Sequence, residues 1–285
     1  MTLRQYLLLL SAICTLLVVA CSDSSSDSSD SIESPPAEAR FFFNVFGDSR
    51  SGNSIYSSLV STALTVGIPD LNFHVGDMID EEGTQWAIFD AISTPLEDRS
   101  SFYVTIGNHD VWDQESFNNI CMVYSYLSPT GYYSFFHNPG FFIILNSQEI
   151  EETGLSDTQM SWLKQELESD RASQSRFIVV FVHRPLFPQN HHLGEPLENY
   201  EELHQMLQDH GVSVVFSGHE HSYSHTIQDG IHYMITGTSG SPLFSAAGSD
   251  VAFYHFAQVS VLDSELYIRI IDLYGRTRDT IEINF

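Results

Sequence analysis

The stretch Leu71-Asn72-Phe73-His74-Val75-Gly76-Asp77-Met78-Ile79-Asp80 decides the reading of this chain. A short, mostly apolar run stops at a glycine, and a carboxylate follows at once. A run of this kind, bounded by turn residues, is the pattern of a buried strand, so Asp77 is expected at a strand's C-terminal end. The same grammar recurs on both sides. Phe41–Phe46 precedes Gly47-Asp48-Ser49-Arg50, and residues 102–106 precede Gly107-Asn108-His109-Asp110. Residues 177–182 precede His183, and residues 212–216 precede Gly218-His219-Glu220-His221. Asp, Asn and His are metal-ligand types. Open α/β sheets collect functional groups beyond the carboxyl ends of their strands, so these segments are expected to converge on one sheet edge.

Between the strand-like runs lie helix-like stretches, which argues for α/β units. Helices are expected over 54–65, 84–92 and 200–210, the last ended by Gly211. Ser156-Asp157-Thr158-Gln159 has the form of a capping box, with Met160, Leu163 and Leu167 following at helical spacing. Residues 132–136 and 141–145 read as a hairpin around Asn138-Pro139-Gly140. After Gly218 the pattern turns mainly to strands, with Asp229-Gly230 as a hairpin turn. A last strand pair is expected over 266–271 and 280–285, and no linker interrupts residues 40–285.

Of the 285 residues, 42% are hydrophobic and 13% aromatic, enough to build a full core. The formal charge is −26, from 37 acidic against 11 basic residues. So acidic a chain lacks the basic footprint that a nucleic-acid polymer requires. An anionic substrate must therefore find its positive charge locally, and metal ions can supply it. The apolar stretch 6–20 after Arg4 is shorter than the roughly 20 residues that span a bilayer. It reads as a secretory signal over residues 1–20. Val18-Val19-Ala20-Cys21 resembles the lipobox of bacterial lipoproteins, which implies cleavage before Cys21 and a lipid anchor there. Residues 21–39, rich in Ser and Asp, read as a disordered tether. The expected location is an exported lipoprotein facing the periplasm or the cell exterior, with lipidated Cys21 as its only membrane contact.

The ordered set D-x-x, G-D-x-x-D, G-N-H-D, H, G-H-x-H resembles the calcineurin-like metallophosphoesterase superfamily, which includes the purple acid phosphatases. Tyr132-Tyr133-Ser134-Phe135, Ser161-Trp162-Leu163 and His183-Arg184-Pro185 add to the likeness. The resemblance implies an α/β fold, a four-layer αββα sandwich with metal ligands at the C-terminal ends of strands. It implies two divalent or trivalent ions (Fe, Mn, Zn or Co), roughly 3.5–4 Å apart. Asp48, Asp77 and His221 match ligands of the first ion; Asp77, Asn108, His183 and His219 match ligands of the second. Asp77 then bridges. His109 matches the acid that protonates the leaving alkoxide, with Asp80 orienting it. The implied activity is hydrolysis of a small phosphate ester by a metal-bound hydroxide, monoester or diester. The alternative is a lipoprotein that keeps the fold to bind metal or phosphate without catalysis.

One departure stands out. The family's commonest first motif is D-x-H, and here the third position is Arg50, which cannot ligate a metal because its guanidinium stays protonated. Three readings of Arg50 remain open from the sequence: a phosphate contact, a salt bridge and a solvent-facing role. Substrate contacts are expected from Arg50, Asn108 and His109. His74 reads as a buried, hydrogen-bonded histidine, and His191-His192 as a solvated loop.

Overall fold

The computed structural model describes residues 32–80, 85–149, 154–244 and 250–285. The signal segment, Cys21 and the first part of the expected tether lie outside the described residues. The compact unit begins at Ile32, earlier than the boundary expected at residue 40. Ile32 packs against the apolar cluster on the helix-covered face of the first sheet, and the Glu33 carbonyl accepts from Arg269 at 3.1 Å, so part of the stretch expected as tether is bound to the domain.

Among the described residues, twelve strands form two six-stranded sheets. In the first, β1 (Phe41–Phe46), β2 (Leu71–His74) and β3 (Ser101–Val104) run parallel. β10 (His255–Val261), β11 (Glu265–Asp272) and β12 (Thr277–Asn284) continue it antiparallel, in the order β12-β11-β10-β1-β2-β3. The second sheet has the order β4-β5-β6-β7-β9-β8. Its members are β4 (Tyr133–His137), β5 (Gly140–Ile144), β6 (Phe177–Phe181), β7 (Val214–Ser217), β8 (Tyr223–Gln228) and β9 (Ile231–Thr236). The five motif-bearing strands are therefore not neighbours in one sheet, as the sequence suggested. Three lie in the first sheet and two in the second.

The side-chain period of two explains both the sandwich and the unbroken apolar runs. Phe43 and Val45, Phe142 and Ile144, Phe177, Val179 and Phe181 point inward and fill the space between the sheets. Phe73 and Phe181 stack across that interface with centroids 4.1 Å apart, and Phe43 meets Phe142 edge-on at 5.5 Å. The intervening residues point outward under helices. α1 (Asn53–Val66), α2 (Trp86–Glu97) and α3 (Gln114–Val123) cover the first sheet through Tyr56, Leu59, Phe89 and Ile120. α4 (Asp157–Leu167), α5 (Asp170–Gln174) and α6 (Tyr200–Asp209) cover the second through Leu163, Ala172, Leu203 and Leu207. Both faces of each central strand are buried, so alternation of polar and apolar residues is absent. The result is the four-layer αββα arrangement.

Two local expectations change. Ser156 caps α4 by accepting from the Gln159 amide at 3.2 Å, but the Gln159 side chain does not return to close a box. It binds the Asn146 backbone at 2.8 and 2.9 Å instead, tying α4 to the end of β5. α3 has no counterpart among the helices expected from the sequence; its own box pairs Asp113 with Ser116.

Candidate metal centre

The motif segments leave their strands through tight backbone turns. Asp48, Asp77 and His219 all have positive φ, at 54°, 57° and 67°. Non-glycine residues held in this region cost on the order of 1 kcal/mol or more each, and such strain concentrates at functional sites. Glycines clear the space around the carboxylates. A Cβ on Gly218 would lie 2.3 Å from Asp48 Oδ2, and one on Gly107 2.3 Å from Asp77 Oδ1.

The sheets bring all nine expected residues to one place, arranged as two halves that share Asp77. In the first half, Asp48, Asp77 and His221 offer ligand atoms that all lie within 4.8 Å of one another. Both Asp48 oxygens accept from the His219 amide at 3.0 Å, and His221 Nε2 lies 3.6 Å from Asp48 Oδ1. In the second half, His183 Nε2 lies 3.1 Å from Asn108 Oδ1 and 3.3 Å from Asp77 Oδ1. The His219 ring centroid is 5.1 Å from that of His183.

The tautomers show whether these residues fit a cation. Burial lowers the pKa of His183, and His221 is lowered to about 4, first by burial and then by Arg50. Both rings are therefore neutral at pH 7. His183 Nδ1 meets the Val75 carbonyl at 2.8 Å and His221 Nδ1 meets the Pro242 carbonyl at 3.0 Å. Each Nδ1 must carry the proton, which leaves each Nε2 as a lone pair aimed at carboxylate or amide oxygen. Acceptors facing acceptors are unfavourable unless a cation lies between them, and a ligating histidine held through its other nitrogen is the usual arrangement. Burial and then the nearby Asp77 push the Asp48 carboxyl well above its ordinary range, a second sign of unbalanced negative charge. The donor set is hard and mixed, oxygen with imidazole, and suits divalent or trivalent transition ions.

Arg50 forms ion pairs here. Its Nε donates to Asp77 Oδ2 at 3.2 Å and its Nη1 to Asp80 Oδ1 at 3.0 Å. Asp80 also accepts from the Ser51 hydroxyl at 2.7 Å, and its Oδ1 lies 3.4 Å from His109 Nδ1. Ser51 first, then Arg50 and His109, hold the Asp80 carboxyl below its usual range despite some burial. His74 takes the bland role, fully buried with Nε2 3.0 Å from the Ser49 hydroxyl.

Two residues were missed as contributors. Asp110 is buried and accepts from four backbone amides: Gly107 at 2.8, Asp77 at 2.9, Met78 at 2.8 and Ile79 at 3.2 Å. It thereby locks the loop that carries Asp77. Glu220 is buried and accepts from the amides of Gln189, Asn190 and His192 at 2.7–3.0 Å. This anchors the 186–199 segment, whose His192 stacks on His219 with centroids 4.1 Å apart. The signal in each case was an acid embedded in a ligand motif, Asp110 after Asn108-His109 and Glu220 between His219 and His221.

The family model for calcineurin-like phosphoesterases matches residues 45–223. Purple acid phosphatase 18 of Arabidopsis thaliana is 28% identical over 211 residues, covering 68% of this chain and 47% of that protein. The serine/threonine-protein phosphatase CPPED1 of Mus musculus is 31% identical over 127 residues, covering 40% of this chain and 39% of that one. The chain thus spans half the length, or less, of these two relatives. Among solved structures, the purple acid phosphatase PPD1 from yellow lupin superposes with a TM-score of 0.70 over 86% of this chain and 53% of that one. At 17% identity that likeness is one of fold.

Proposed function

The chain belongs to the calcineurin-like phosphoesterase family, and from that premise we propose that it is a dimetal phosphohydrolase acting on small phosphate esters. The observation that carries this reading is the pair of neutral histidines, His183 and His221, each presenting Nε2 to carboxylate oxygen across a shared Asp77. Asp48, Asp77 and His221 would hold one ion; Asp77, Asn108, His183 and His219 would hold the other. When bound, such ions supply a nucleophile at neutral pH and absorb charge on the phosphoryl oxygens.

The chain's own residues do the rest. His109 is the general acid: its Nδ1 faces the Asp80 carboxylate at 3.4 Å, which orients the ring. The proton then passes from His109 Nε2 to the leaving oxygen. Arg50 uses two of its five donors on Asp77 and Asp80, and the remaining three are available to the phosphate. The His191-His192 segment, tied down by Glu220, walls the second half.

Hydrolysis of aryl phosphate mono- and diesters with added Mn, Fe, Zn or Co tests the reading. Metal-dependent turnover of at least one ester is expected; metal-loaded protein inert to both would overturn it in favour of a binding module. His109→Ala should retain metal and lose about 10²–10⁴-fold in kcat. We further propose that Cys21 carries a lipid, supported by the apolar stretch before it. Cys21→Ser should abolish palmitate incorporation and membrane association.

A further inference from the structure

We propose that Arg50 is an internal competitor for the first half of the centre, so that the two halves load with metal unequally. The inference rests on the reading that these residues hold metal ions, and concerns how this chain controls their number. Asp77 must share its two oxygens between the halves. Oδ1 faces the second half, 3.3 Å from His183 Nε2, and accepts from the His109 amide at 2.9 Å. Oδ2 accepts from Arg50 Nε at 3.2 Å. The Arg50 side chain is only 16% exposed and that of Asp77 only 2%, so water screens this pair poorly. A cation entering the first half must take the Asp77 Oδ2 lone pair from the guanidinium and then sit beside a charge that cannot be titrated away.

The second half carries no equal penalty. Arg184 approaches it, with Nη1 3.3 Å from His219 Nε2. There Nη1 donates to the lone pair of a neutral ring nitrogen and takes no anionic oxygen. The two arginines therefore differ in kind: Arg50 holds a charged oxygen of the carboxylate that both halves share, and Arg184 a neutral nitrogen of one ring. Arg50 also has somewhere to go. Its Nη1 is held by Asp80, whose side chain is 39% exposed, so Nε can release Asp77 while the fork stays anchored at the mouth of the site. Loading the first half would thus turn the guanidinium outward, toward Asp80.

Mn²⁺ titration of the full chain, followed through the EPR signal of free Mn²⁺, measures this without any substrate. Wild-type protein should show one tight and one weaker ion per chain, their dissociation constants at least about tenfold apart. Asp48→Asn, which removes a carboxylate from the first half but keeps an oxygen for the His219 amide, should remove the weak step. Arg50→Leu and Arg50→Met, neutral and without a hard ligand atom, should tighten the weak step at least about tenfold and leave the tight one within about threefold. Arg50→Lys, which keeps the charge, should tighten it less than either. Two equally tight ions in the wild type would overturn the proposal. So would a weak step that neither neutral variant tightens, or one that Arg50→Lys tightens as much as Arg50→Leu. These failures leave the phosphohydrolase reading standing. Wild-type protein that binds no Mn²⁺, Fe, Zn or Co removes both.

Discussion

Asp110 shows how much of this centre is held by backbone rather than by ligands. Burial and then Asp77 push its carboxyl up to about 8, while the amides of Gly107, Ile79 and Met78 pull it down. Its oxygens terminate four amides of the two turns that carry Asp77 and Asn108. Asp110→Ala would strand those donors in a dry interior. A cost of about 2–4 kcal/mol in unfolding free energy is expected, with loss of metal retention, readable by denaturant titration and metal analysis. An equally stable, metal-replete variant would refute the locking role. Gly218→Ala is the matching steric test, since its Cβ would fall 2.3 Å from Asp48 Oδ2. It should impair the first half while leaving the tight ion in place. At this scale the candidate ligands could be picked out beforehand, because their residue types and spacing are chemical. Arg50's carboxylate partners were not: a guanidinium can reach a phosphate or a carboxylate, and only the positions of Asp77 and Asp80 show that two of its donors take carboxylates.

The β11–β12 connection is an element whose stability depends on one carboxylate. Asp272 accepts from the amides of Tyr274 and Arg276 at 2.9 and 3.0 Å and from Arg276 Nε at 2.9 Å. Burial alone would raise its pKa, but Arg276 and these amides outweigh it and hold the carboxyl below its usual value of 3.8. The stabilisation is therefore fully present above about pH 4 and is lost as pH falls below that value. Asp272→Ala should cost about 1–3 kcal/mol, seen as a lower urea midpoint with an unchanged m-value. No change in midpoint would mean that the turn is held by its strands alone. The sequence marked this connection correctly, and it marked Asp229-Gly230, whose φ angles of 49° and 87° suit a tight hairpin turn. It missed α3 because Gln114–Val123 is short, partly exposed and mixed in polarity, so helical spacing barely shows.

Across the whole molecule, buried neutral histidines set an acid limit. Burial lowers His255 to about 4 and His74 to about 3, and neither belongs to the ligand set. In the unfolded chain both bind a proton near pH 6.5, so unfolding takes up protons as pH falls below that value. Stability should decline from pH 6.5 toward pH 4 at a limiting slope of about 1.4 kcal/mol per unit for each histidine. Urea unfolding in chelator at pH 5, 6 and 7 checks this; a flat profile would contradict it. The same burial explains what could be read beforehand. Strands covered on both faces must be apolar along their whole length, and a polar signature after each run could only be a site, so the runs, the signatures and their ligand chemistry are properties of the sequence alone. Which runs pair is decided by non-local packing. The runs at 41–46, 71–74 and 101–104 are interchangeable in composition with those at 177–181 and 214–217, yet they fall into different sheets. The tertiary structure alone joined two sheet edges into one centre, because only there do Asp77, His183 and Arg50, from three separate segments, come within bonding distance.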